Sequence, residues 1–191
     1  MTAQIPDTYH YKGKKYSIIA MSAPIDFDPV EYGFFPISPH TACWRGYVCE
    51  YEITDDELYL RRLSIWCGNH GYPEFDGILP VEDTKNFGHF MVYENLHHHM
   101  DYTGSIVVGS GFLKQYYIHM GFQRAWAYKN VFELKFEHGR VKEKIDHSEY
   151  VKGVRKKIKE DPEYLDKVFS SITGFIDESF SLDKNIKAWW I

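Results

Sequence analysis

Cysteine is scarce in these 191 residues: Cys43, Cys49 and Cys67 are the whole complement, and no two are spaced as a CxxC pair. That excludes a zinc knuckle and gives no framework for a disulfide-stapled secreted fold. No stretch approaches the ~20 apolar residues of a membrane-spanning helix, and the first seven residues lack the basic-then-apolar pattern of a secretory leader. Positive charge is also short. Against 27 Asp and Glu stand 22 Lys and Arg, a net −5, the wrong sign for a surface that neutralises phosphates. The one basic run, residues 152–159, has helical spacing, which a solvated helix face explains. These absences predict a cytoplasmic chain that engages neither membrane nor nucleic acid.

Catalytic signatures are missing as well. Gly109-Ser110-Gly111 follows an apolar strand and precedes a helix-like segment, but the third glycine of a dinucleotide loop and any Gly-Lys-Ser/Thr ending are absent. No Gly-x-Ser-x-Gly elbow occurs. The paired carboxylates Asp26/Asp28, Asp55/Asp56 and Glu82/Asp83 fall where turns and helix caps want them. Cys67 and His70 share a glycine-bearing loop, yet neighbours on one loop rarely point together as nucleophile and base.

What is abundant is aromatic: 13 Phe, 15 Tyr and 5 Trp. Such a surplus builds a wide core, a partner surface or a sugar-stacking platform, and the core is the simplest account. Tyr9 to Tyr16 reads as a hairpin about Gly13, continuing as a strand to Met21. Asp28-Pro29 offers a cap and first-turn proline for a short helix stopped by Gly33. Alternation from Cys43 to Ile53 predicts a strand with Cys43, Arg45, Tyr47, Cys49, Tyr51 and Ile53 on one face. A turn at 54–57 follows. The return strand, Leu58 to Trp66, changes parity between Leu60 and Leu63, which predicts a bulge at Arg61-Arg62.

After an irregular stretch from Cys67 to Phe90, the pattern is echoed. Thr103 to Val108 resembles the strand ending at Met21, Phe112 to Met120 a short helix, and Phe132 to Ile145 the hairpin. The expectation is an α+β fold, mostly antiparallel, with duplicated strand–helix–hairpin units at about residues 12–66 and 102–146. Two or three C-terminal helices (148–191) would pack on this β-rich region (1–147), within one globular domain. Ser148 starts the first helix, Asp161-Pro162 the second, and Trp189-Trp190-Ile191 would dock the end.

Two functional classes fit. The first is a non-catalytic protein-binding domain, in an immunity- or inhibitor-like form, that meets a basic protein partner through Trp44, Arg45 and Tyr47; Trp and Arg dominate interface hot spots. An arginine on that apolar face would need a carboxylate partner. The second is a metal-assisted hydrolase. His97 and His99 would share a strand face, and with His119 could hold zinc or a similar divalent metal. A histidine-rich polar loop accounts for the same residues without metal. The balance leans away from an enzyme and from any cofactor.

Overall fold

The computed structural model describes residues 2–83, 90–161, 163–164 and 181–183. Two turns set its first hairpins. Lys12 and Gly13 both take positive φ between β1 (Thr8–Tyr11) and β2 (Lys14–Met21). Asp55 and Asp56 do the same between β3 (Tyr47–Thr54) and β4 (Glu57–Ile65), the paired left-handed conformation that matches the twist of two-residue hairpins. The bulge expected in β4 is present: Glu50 faces Arg62 and Tyr51 faces Leu60, so Arg61 is the extra residue. This moves Leu63 and Ile65 to the same side as Leu58 and Leu60, and all four are buried.

The ten strands described form one mixed sheet. Its other members are β5 (Val81–Glu82), β6 (Met91–Tyr93), β7 (His98–His99), β8 (Gly104–Phe112), β9 (Tyr128–Glu137) and β10 (Arg140–Asp146). The order is β10-β9-β8-β2-β1-β3-β4-β6-β5, with β7 also on β4. β10 pairs with β4 through Arg140 and Glu57, which joins the two sides of the order and closes seven strands into a ring. The seam is held by Leu58 N–H to Gly139 O (2.9 Å) and Val141 N–H to Asp56 O (2.8 Å). All seven strands feed one interior, among them Tyr9, Tyr16, Ile18, Tyr51, Leu60, Val108, Phe136 and, partly buried, Val141.

The expectation of an antiparallel sheet backed by two or three C-terminal helices is corrected. The protein is mostly strand, and β1 runs parallel to β3. Among the described residues there is one α-helix, α1 (Ser148–Glu160). It starts where Ser148 predicted and lies outside the ring, where Val151 and Val154 meet Trp126, Val107, Val131 and Ile19 in a second core. The second helix expected from Asp161-Pro162, and Trp189-Trp190-Ile191, lie outside the described residues. No helix among those described is long and apolar enough to cross a membrane.

The halves 12–66 and 102–146 each supply a strand and a hairpin, β2 with β3–β4 and β8 with β9–β10. β8 pairs directly with β9, however, whereas β1 is wedged between β2 and β3. The helix expected over Phe112–Met120 is a single 3-10 turn at Lys114–Tyr116, because β8 runs on to Phe112. Gly109-Ser110-Gly111 therefore lies within a strand and makes no strand–loop–helix anion site.

Candidate binding site at the mouth of the ring

β3 starts at Tyr47, four residues later than alternation suggested. The cause is Gly46, whose φ is +79° and whose missing side chain leaves room for the backbone of Ile37: a Cβ there would sit 2.7 Å from Ile37 O. The crossing segment bends the chain, so Trp44 and Arg45 lie in a turn ahead of the strand. Trp44 holds its side chain outward, 51% exposed. Arg45 turns in.

The carboxylate that Arg45 requires is Asp7, just before β1. Parallel pairing of β1 with β3 brings the starts of both strands to one end of the ring. There Arg45 Nη2 donates to Asp7 Oδ1, Cys49 N–H donates to the same oxygen (2.7 Å), and Arg45 Nε donates to Tyr47 O (2.9 Å). The guanidinium lies 4.6 Å from the centre of the Tyr47 ring. Burial works against its charge, but Asp7 beside it outweighs that and raises its pKa. Burial likewise pushes the Tyr47 phenol up to about 12, with Arg45 opposing.

This pair forms part of the wall of a cavity of about 550 Å³ at that end of the ring. Phe27, Tyr47, Tyr51 and Phe122 give it aromatic walls, and Met21 and Leu182 add aliphatic surface. The Asp7 side chain is 4% exposed and that of Arg45 35%, so the arginine is the more accessible member of the pair. Its hydrogen bonds to Tyr47 and Asp7 use two of five donors. Neither cysteine nor histidine is among the described lining residues, so they provide no thiol–imidazole pair. Size and lining are those of a small-group binding pocket.

The histidines divide. His97 stacks on Tyr59 (3.9 Å between rings, 10°) and His99 meets the edge of the same ring (5.5 Å). His119 instead packs on Tyr117 (4.8 Å). Among the described residues no three His, Cys, Asp or Glu are grouped as metal ligands. Cys67 is buried, which raises its thiol pKa, while His70 packs against Phe35.

His98, the middle member, makes the contacts that sequence reasoning missed. Its Nδ1 lies 2.9 Å from Asp76 Oδ2 and its Nε2 3.1 Å from Tyr32 OH. The order carboxylate–imidazole–hydroxyl resembles an activated nucleophile, but burial, then Glu31 and Asp76, raise the phenol pKa. The chain of bonds ties the 3-10 turn Pro29–Tyr32, strand β7 and the turn at Asp76 together around Phe27 and Phe75. Comparison with protein-family models, curated proteins and solved structures finds no match.

Proposed function

We propose that this chain is a non-catalytic binding protein that receives an apolar group of a basic protein partner in the mouth cavity. The observation that carries this reading is the cavity itself: an aromatic enclosure with a guanidinium fixed by Asp7 in its wall. Because Asp7 already offsets the charge, the site favours an apolar group bearing a hydrogen-bond acceptor. The net charge of −5 supports a basic partner, since it would steer one toward the surface. Trp44, beside Arg45 and half exposed, suits an anchor at the edge of that contact. A cytoplasmic location belongs to the same reading, supported by three free, buried thiols.

Ala23 lines the cavity, and its carbonyl accepts from Tyr102 OH, a bond that a new side chain leaves in place. Ala23→Phe should fill the space without unfolding the chain. An apolar fluorescent dye should brighten in the wild-type protein and bind A23F about tenfold more weakly, roughly 1.4 kcal/mol. The immobilised chain should hold back a basic protein that A23F releases. Equal dye binding by both forms would remove the cavity from the proposal. Failure to retain any protein across a range of salt would remove the partner.

A further inference from the structure

The outer face of β1, β3 and β4 carries a second concavity, of about 360 Å³, whose lining includes Thr8, Lys15, Glu50, Arg62, Ser64 and Asp83. Strand alternation puts Thr8, Glu50 and Ser64 outside while Tyr9, Cys49, Tyr51 and Leu63 face the interior. The charges hold one another in place. Arg62 Nη1 donates to Glu50 Oε1 (3.1 Å) and Nη2 to Asp83 Oδ2 (3.2 Å). Lys15 Nζ donates to Glu50 Oε1 (3.0 Å), and His10 Nε2 lies 2.8 Å from Oε2.

Three features specify what fits. Among the described lining residues the cations Lys15 and Arg62 balance the anions Glu50 and Asp83, so these residues give neither an anion nor a cation a net attraction. Fixed donors and fixed acceptors alternate over a few ångströms, which suits hydroxyl groups because each gives one hydrogen bond and accepts others. Among the described residues, two polar atoms of this lining, Thr8 Oγ1 and Arg62 Nε, are buried without a hydrogen bond; Glu94 Oε1 is 3.6 Å from Arg62 Nε, beyond bonding range. Native folds seldom leave such atoms unused. Pro6, Val48 and Phe90 add an apolar shelf for a C–H face.

We infer that this cleft binds a neutral polyhydroxylated ligand, a sugar or cyclic polyol, independently of the mouth cavity. The inference is tested on the ¹⁵N-labelled chain with D-glucose, N-acetyl-D-glucosamine and myo-inositol, and with phosphate and ammonium as charged probes. At least one neutral probe should shift the Thr8, Val48 and Ser64 amides. Ser64→Phe, which fills the cleft with a strand-favouring side chain, should weaken that binding about tenfold or more, and A23F should bind as the wild type does. Thr8→Val keeps the shape, removes the hydroxyl and should weaken binding severalfold, so it carries the test if S64F fails to fold. No shift with any neutral probe, a response confined to phosphate or ammonium, or unchanged affinity in both cleft variants would overturn the inference.

Discussion

Asp7 accepts from Arg45 and from the Cys49 amide while almost wholly buried, so removing its cation strands a carboxylate. Arg45→Met should cost about 2–4 kcal/mol, the usual loss for a broken buried pair trimmed for the exposed third of the arginine. The double variant Asp7→Leu/Arg45→Met should recover much of that; urea unfolding midpoints of the four proteins close the cycle. Glu50 sets a pH dependence. Burial opposes its charge, but Lys15, His10 and Arg62 more than reverse this and hold its pKa below the usual glutamate value. A depressed folded pKa contributes stability above the unfolded value, about 4.3, that is lost as pH falls through the folded one. Stability should therefore drop below about pH 4, and Glu50→Gln should flatten that limb in thermal melts. That Arg45 needs a carboxylate was legible from its place among apolar neighbours. Which carboxylate was not: Asp7 is 38 residues away in a stretch without periodicity. His98 escaped for a related reason, since alternation groups His97 with His99 and says nothing of Tyr32 or Asp76.

Elements were legible where the signal is local. The Gly13 turn, the Asp28 cap with its 2.9 Å bond from Val30 N–H, the Arg61 bulge and the start of α1 follow from neighbours in sequence. They failed where a distant segment intervenes. Ile37 against Gly46 ends the strand early, and β9 beside β8 extends pairing to Phe112 where a helix was expected. Two small-residue–tryptophan pairs, Cys43-Trp44 and Ala125-Trp126, look alike in sequence but part in space, since Trp126 is buried beneath α1 and Trp44 is exposed. Trp126 joins helix to sheet in the outer core. Trp126→Ala should cost about 3–5 kcal/mol, the range for deleting a large core aromatic, and should raise hydrogen exchange in α1 above that of the ring interior.

At the scale of the molecule, the ring closes where the turn before β10 meets β4. Gly139 is central: its carbonyl accepts from Leu58, its N–H donates to Tyr102 O, and its φ is +75°. A Cβ would sit 2.5 Å from Met100 O, a backbone atom that cannot swing away. Gly139→Ala should destabilise the chain by about 1–3 kcal/mol and speed exchange of the Leu58 and Val141 amides first. Equal loss of protection throughout the ring would show that closure is not local to this seam. Ring closure was not legible, since pairing between residues 57 and 140 leaves no mark in either strand.

The parallel seat of β1 has a temporal consequence. β1 pairs with β2 as soon as both exist, but its other edge must wait for β3, about 40 residues later in synthesis. Until then, one flank of the earliest hairpin is an open template for stray pairing. The last ladder, β4 with β10, spans 83 residues between Glu57 and Arg140. Such distant contacts repay their loop-closure entropy late, so refolding should be slow for a chain of this size. Aggregation during refolding should then depend on how soon β3 covers the edge of β1.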